Sequence, residues 1–281
     1  MGNLSDKINS AIERLKYAAK MSKKYMDSPL YVCISGGKDS TVLQQLAIEA
    51  GIDCIFTHTH TSIDAPTTVY FIRNELKRLS EMGYRTQTVY PKMNMFKLIE
   101  HKNAFMPTAV HRYCCGALKE GTVRLPNGKG AFIAVGVRWQ ESWKRKETKD
   151  FEVRANSRSK AVRVQMNDND IEAKLFETCA LSGQRVVNPI LDWTNDDIWE
   201  YIKSKNIPYN DLYNKGFKRV GCIGCPLSRK ADRIRYFDLF PGYKRAYVNA
   251  IGRGLVRAKA QGVEQPWGDA ESIFRRWVYG E

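Results

Sequence analysis

A six-residue turn, Ser35-Gly36-Gly37-Lys38-Asp39-Ser40, constrains this chain more than any other feature because of what stands on either side of it. The run before it, Leu30-Tyr31-Val32-Cys33-Ile34, is short, apolar and bounded by Pro29 and the glycines, the pattern of a fully buried strand. After it, Asp39 to Ala50 carries Val42, Leu43, Leu46 and Ala47 on one helical face, Gly51 ends the helix, and Ile52 to Thr57 reads as a second strand. Strand, helix and strand in that order make a βαβ unit, so the turn falls where a strand ends and a helix begins. Free backbone N–H groups and the positive end of the helix dipole suit an anion there, and paired glycines let the backbone come close to it. Ser35 and Ser40 offer hydroxyls, Lys38 a compact positive charge, and Asp39 a carboxylate for Mg²⁺. A ligand-free tight turn is the better explanation of an isolated Gly-Gly; the whole string in this position favours a phosphate site. It is not a Walker A sequence, whose G-x-x-x-x-G-K-[ST] spacing is absent.

The alternation continues. Thr67 to Met82 reads as a helix, Tyr84 to Val89 as a third strand and Ala131 to Val135 as a fourth, which implies an α/β fold with a doubly wound, mostly parallel sheet covered on both faces. Upstream, Leu4, Ile8, Ala11, Leu15 and Ala18 recur at helical spacing behind Ser5 as N-cap, and this opening helix ends near Met26 to Pro29. Residues 138–185 are polar and charged, with no clear period, and suggest a lid or an insertion. Periodicity returns at Asn188. Thr194 caps a helix through Ile198, Trp199 and Ile202, Gly221 to Pro226 forms a tight turn, and the basic tail from Leu227 onward has helical spacing. Two parts are expected: a nucleotide-binding α/β domain over 1–205 and a small C-terminal helical subdomain with the cysteine turn over 206–281.

A formal charge of +15 calls for an anionic partner: a nucleotide, a nucleic acid or an acidic protein. No window approaches the roughly 18 apolar residues that a membrane span needs, and the lysine-dotted N-terminus lacks the apolar core and small-residue cleavage site of a secretory signal. A cytoplasmic location without membrane contact is therefore expected. In that reducing setting the seven cysteines read as thiols, metal ligands or catalytic groups. Cys222-Ile223-Gly224-Cys225-Pro226 is a C-x-x-C turn, and Cys114-Cys115 is an adjacent pair upstream, so four thiolates are on offer. Spacing alone leaves zinc and an iron–sulfur centre both open. Adjacent side chains diverge unless the backbone kinks, which makes Cys179 an alternative to Cys114. Cys33 and Cys54 fall inside apolar strands and read as core residues. Arg112, Lys119, Lys218, Arg219, Arg229 and Lys230 flank the four cysteines, either gathering positive potential there or forming a solvated face.

Ser-Gly-Gly-Lys-Asp-Ser after a buried strand resembles the PP-loop of the ATP pyrophosphatase superfamily, whose members share the adenine nucleotide alpha hydrolase-like (HUP-like) fold and cleave ATP between its α and β phosphates. Asn188-Pro189-Ile190-Leu191-Asp192-Trp193-Thr194, followed by Asp197-Ile198-Trp199-Glu200-Tyr201-Ile202, resembles a segment of the phosphoadenosine phosphosulfate (PAPS) reductases and their relatives. Gly136-Val137-Arg138, with Glu141, Ser142 and Arg145, is similar to the same branch. The resemblance implies a pocket for ATP and Mg²⁺ formed by Ser35, Gly36, Gly37, Lys38, Asp39 and Ser40, the strand end at Thr57, His58 and Thr59, and Arg138 and Arg145, with Lys38 and Asp39 catalytic. Asp192, Trp193 and Trp199 are more simply a helix start with aromatic core packing. A Cys-Cys pair followed much later by Cys-x-x-Cys resembles the [4Fe–4S] ligand set of adenylyl-sulfate (APS) reductases and some thiolation enzymes, which implies that Cys114, Cys115, Cys222 and Cys225 hold such a cluster, with zinc as the alternative.

The sulfonucleotide reductases attack with a cysteine in the C-terminal tail, and this sequence has no cysteine after Cys225. The remaining pattern is more similar to the relatives that activate a substrate with ATP for sulfur insertion, among them the PAPS reductase-like proteins of DNA phosphorothioation and the tRNA thiolases. The expectation is an ATP-dependent enzyme that adenylylates a nucleic acid and receives sulfur from a donor protein. An APS or PAPS reductase and a non-catalytic nucleotide-binding subunit are the other two readings.

Overall fold

The computed structural model describes residues 3–154, 162–176, 183–264 and 266–280. The chain opens with α1 (Leu4–Met26), then β1 (Leu30–Cys33), α2 (Lys38–Glu49), β2 (Cys54–Thr59), α3 (Pro66–Glu81) and β3 (Arg85–Val89). Next come α4 (Met95–His101), α5 (Tyr113–Leu118) and β4 (Phe132–Ala134), followed by β5 (Phe151–Arg154), β6 (Val162–Val164), α6 (Ile171–Phe176) and β7 (Gln184–Val187). The series ends with α7 (Asn195–Ser204), α8 (Lys230–Leu239), α9 (Pro241–Ala260) and α10 (Ala270–Tyr279). The seven strands form one sheet in the order β3-β2-β1-β4-β7-β5-β6. β1 runs parallel to β2 and β4, and β4 parallel to β7, while β5 is antiparallel to both β7 and β6. This is the mostly parallel α/β sheet with flanking and C-terminal helices that the βαβ pattern requires.

Contacts divide the chain into two compact units. The first comprises residues 1–58, 70–89 and 123–211; the second comprises 59–69, 90–122 and 212–281. In the first, α1 and α2 bury Leu15, Val42, Leu43 and Leu46 against strand residues Val32, Phe56, Phe132 and Phe151, each full burial contributing about 1.5–3 kcal/mol. α1 starts at Leu4 rather than behind Ser5: Asn3 is the cap, its Oδ1 accepting from Asp6 N at 2.9 Å while Asn3 N donates to Asp6 Oδ2 at 3.3 Å. This reciprocal pair satisfies two first-turn donors and moves the start two residues upstream. Thr194 does cap α7, with Asp197 completing the same reciprocal arrangement.

The polar stretch 138–185 contributes β5, β6, α6 and the first half of β7, none of which its sequence pattern revealed. β7 is buried along its whole length. Its Arg185 hides the strand from a hydrophobicity pattern, yet the guanidinium is satisfied inside: Nε donates to Leu175 O at 3.1 Å, Nη1 to Gly183 O at 2.9 Å, and the Phe176 ring lies 5.1 Å from it.

The second unit is helical. Tyr236, Phe237, Tyr247 and Phe274 from α8, α9 and α10 form an aromatic core with Ile99 of α4 and Ile223. Phe237 meets Phe274 edge-on at 5.0 Å and Tyr247 at 5.6 Å, spacings that aromatic pairs favour. Gly254 permits the close approach of α9 to the Ala104 backbone, where a Cβ would come within 2.5 Å of the Ala104 nitrogen. No helix among the described residues is long and apolar enough to cross a membrane.

Candidate functional site

The glycine turn lies between β1 and α2, as its flanking patterns require. Gly36 takes φ +73°, a left-handed conformation that costs glycine little. Gly37 is the N-cap of α2 in extended backbone and supplies no side-chain cap, so the amides of the first turn are not covered by a capping side chain. The turn is braced from within: Ser35 N and Oγ both donate to Ser40 Oγ, at 3.2 and 3.1 Å, and Ser40 Oγ donates to Gly37 O at 2.8 Å. Asn210, which is 1% exposed, donates from Nδ2 to Gly36 O at 3.3 Å. Ser40 therefore organises the loop in addition to offering a hydroxyl.

Three charged groups meet at the start of α2. Lys38 is 6% exposed, and its Nζ lies 3.1 Å from Asp39 Oδ2. Arg138 is 3% exposed and donates from Nε to Asp39 Oδ1 at 2.7 Å. Its Nη1 reaches Trp193 O at 3.2 Å and Gln140 Oε1 at 3.3 Å. The Asp39 carboxylate thus offsets two buried cations, and arginine forks hold such pairs in a fixed geometry. Gly136 lies against the same place: a Cβ there would come within 3.0 Å of the Asp39 carbonyl carbon and oxygen. Glu141 accepts from Arg138 N at 3.2 Å and also pairs with Arg145.

The end of β2 adjoins the turn. Ile34 N donates to Thr57 O at 2.8 Å, and His58 Nδ1 lies 2.9 Å from Ile34 O. Thr57 is buried, its hydroxyl accepting from Gln87 Nε2 at 3.0 Å. Ser35 to Ser40, Arg138, Thr57 and His58 are therefore brought together. Arg145 is bound to Glu141, and Thr59, in the second unit, pairs with Thr122 Oγ1 at 3.1 Å. Trp193 is a core residue at 1% exposed, edge-on to Tyr201, and Asp192 holds Arg14 at 3.0 Å. Asn210, Gly136 and Gln140 are the residues that sequence reasoning missed. Asn210 stands outside any motif, and although Gly136 and Gln140 fall within the Gly136–Glu141 segment, nothing in the sequence assigns them these contacts, so only the folded backbone reveals them.

The cysteine site lies within the second unit. Cys114 and Cys115 stand in the first turn of α5, and Cys222 and Cys225 bracket a turn in which Gly224 takes φ +75° and Cys225 N donates to Cys222 O at 3.1 Å. Ile223 N donates to Ile63 O at 2.7 Å and Ile223 O accepts from Tyr247 Oη at 2.9 Å, so the turn is fixed from both sides. Thr61 Oγ1 is 3.7 Å from Cys222 Sγ. The Cys114 thiol donates to Cys115, which favours the Cys115 thiolate, and the Lys119 and Arg112 charges lower the Cys115 pKa further. The same bond, with burial and the neighbouring sulfurs, pushes the Cys114 thiol up. The Cys222 sulfur, with Asp64, in turn holds Lys119 in its charged form. Four thiols whose charges interact, beside a lysine, are soft donors of the kind that iron–sulfur and zinc groups take. Cys179 lies outside the described residues. Cys33 and Cys54 sit in β1 and β2, where burial pushes each thiol up to about 12.

The chain matches the phosphoadenosine phosphosulfate reductase domain model over residues 29–228. An uncharacterized protein of Methanocaldococcus jannaschii is 27% identical over 252 residues, covering 86% of this chain and 54% of that protein. The chain thus spans about half the length of that relative, and 43% of a second uncharacterized protein from the same organism. The adenosine 5'-phosphosulfate reductase of Staphylococcus epidermidis is 24% identical over 224 residues, 79% of each chain. Among solved structures, phosphoadenylyl-sulfate reductase from Candida auris in a phosphate complex has a TM-score of 0.46 at 17% identity, covering 76% of this chain and 88% of that one. A U34-tRNA thiolase from Methanococcus maripaludis with its [4Fe-4S] cluster has a TM-score of 0.44 at 16% identity, covering 90% and 82%.

Proposed function

The chain belongs to the phosphoadenosine phosphosulfate reductase domain family, and from that premise we propose that it is an ATP pyrophosphatase that adenylylates a substrate for sulfur incorporation. The observation that carries this reading is the Lys38–Asp39–Arg138 arrangement at the uncapped start of α2. In the proposed reaction an acceptor oxygen attacks the α-phosphorus of ATP, the bond from that phosphorus to the β,γ-diphosphate breaks, and pyrophosphate leaves. First-turn amides of α2 and Lys38 receive the diphosphate charge as it develops. Arg138 holds Asp39 in place. The Asp39 Oδ2 atom, which here faces Lys38, is the oxygen that would take Mg²⁺ entering with the nucleotide. Sulfur from a donor protein then displaces AMP from the acceptor.

The acceptor we propose is nucleic acid, specifically a DNA backbone phosphate in a phosphorothioation-type modification, a choice supported by the net charge of +15. Cys114, Cys115, Cys222 and Cys225 are the proposed ligands of a [4Fe–4S] cluster, with zinc as the alternative. When bound, such a cluster supplies a soft Lewis-acidic centre for a sulfur anion. The test is incubation with ATP, Mg²⁺ and candidate acceptors, with release of AMP and pyrophosphate measured and the adenylylated acceptor identified. Absence of pyrophosphate release with every acceptor would overturn the reading. Reduction of a sulfonucleotide to sulfite is the second reading, favoured by the Staphylococcus epidermidis APS reductase that aligns over 79% of both chains; sulfite formation from APS or PAPS without ATP turnover would select it.

A further inference from the structure

A cavity of about 430 Å³ opens within the second unit, between the 104–109 segment and residues of α8 and α10. Its walls are mainly apolar. Phe105, Trp267 and Trp277 provide three aromatic surfaces, and Pro107, Pro226 and Ile273 fill the rest. Trp277 is fixed by an Nε1 bond to Pro107 O at 2.9 Å, so one wall is rigid. This volume and lining are those of a small-molecule site, where apolar walls supply affinity and a few polar groups set orientation.

Among the described residues its charged lining consists of two arginines, Arg233 and Arg276, with no carboxylate opposite them. Among the described residues the Arg233 Nε is sealed from solvent without an acceptor, and Nη2 reaches Val278 O at 3.5 Å. A half-buried guanidinium whose sealed Nε finds no acceptor among the described residues carries a desolvation cost that an anion would offset. The Arg276 guanidinium lies 4.7 Å over the Trp267 ring, forming a cationic and aromatic wall together.

We propose that this cavity is a binding site for a small aromatic anion, its ring between the tryptophan faces and its negative group held by Arg233 and Arg276. Pro226 follows Cys225 directly, and the Trp277 ring lies where a Cβ on Gly224 would meet it at 2.4 Å. An occupant would therefore rest beside the cysteine turn, independently of whatever binds the glycine turn of the other unit.

The test is fluorescence titration with 8-anilinonaphthalene-1-sulfonate, set beside its neutral counterpart N-phenyl-1-naphthylamine. Saturable one-to-one binding of the sulfonate is expected, with energy transfer from tryptophan and at least tenfold weaker binding of the neutral compound. Arg233→Met and Arg276→Met should each weaken the sulfonate at least tenfold, and Trp267→Ala should weaken both compounds. Trp267 is 46% exposed, so its truncation leaves the core intact if Arg233→Met impairs folding. Equal binding of the two compounds, sulfonate binding unchanged in Arg276→Met and Trp267→Ala, or no saturable binding would overturn the proposal.

Discussion

Arg138 Nε donates to Asp39 Oδ1 at 2.7 Å, joining residues 99 positions apart in the sequence at the first turn of α2. Since Arg138 is 3% exposed, its partner cannot be removed cheaply. Asp39→Ala leaves a buried cation with one fewer compensating charge and should lower unfolding free energy by about 3 kcal/mol. Asp39→Asn keeps an acceptor for Arg138 and should cost less than about 1.5 kcal/mol. Pyrophosphate release should nevertheless vanish in both, and in Lys38→Ala. A double-mutant cycle of Asp39→Ala with Arg138→Met, read by urea denaturation, should give a coupling of about 1–3 kcal/mol. Zero coupling would mean that the pair does not act as a unit.

Gly136 tests the same geometry from the other side. An alanine there would place its Cβ 3.0 Å from the Asp39 carbonyl group and 3.2 Å from Ser40 N, all of it backbone that yields poorly. Gly136→Ala should destabilise by about 1–3 kcal/mol, as overpacking does. It should also raise the KM for ATP by displacing the first-turn amides. Unchanged stability and KM would show that the α2 start moves aside without consequence.

The residues that were legible in the sequence share one property: their local pattern and their structural role coincide. Leu30 to Ile34, the paired glycines and the apolar face of α2 announce a strand, a turn and a helix, and the structure has them within a residue or two. Thr194 announced a capped helix in the same way, and the structure adds Asp197 to the cap. β7 stayed hidden because Arg185 interrupts its apolar run and is satisfied only by the carbonyls of Leu175 and Gly183, contacts that local pattern cannot express. Asn210 was illegible for the same reason, and Gly136 was legible as part of a motif but not as the residue packed against the start of α2, since each acts through an approach to distant backbone. Adjacent Cys114 and Cys115 raised the question of diverging side chains, and in the structure both stand in the first turn of α5, where each shifts the other's thiol ionisation.

The four-cysteine reading predicts a visible property. Protein purified without oxygen should be brown and carry about four irons per chain. Cys222→Ser and Cys225→Ser should each lose the colour and most of the iron, while Cys54→Ala, in β2, should keep both. Absorption near 400 nm and iron analysis check this. A colourless preparation that contains zinc would replace the cluster with the alternative metal, and one that contains neither would remove the metal assignment.

Asp197 contributes a pH dependence to the first unit. Partial burial by itself would raise its pKa, but the Lys7 ammonium at 2.5 Å and the Thr194 N–H and hydroxyl at 2.6 and 2.8 Å prevail and hold it below the ordinary 3.8. Because the folded value lies below the unfolded one, the carboxylate stabilises the fold fully above the ordinary value, and that contribution disappears as pH falls through the folded one. Asp197→Asn should therefore cost about 1–2 kcal/mol at pH 7, through the weakened cap and the lost ion pair. The difference in urea midpoint between wild type and variant should stay constant from pH 7 down to about 5 and shrink toward zero between about pH 4 and 2. A difference that persists undiminished at pH 2 would show that the carboxylate charge is not what holds Thr194, Lys7 and the start of α7 together.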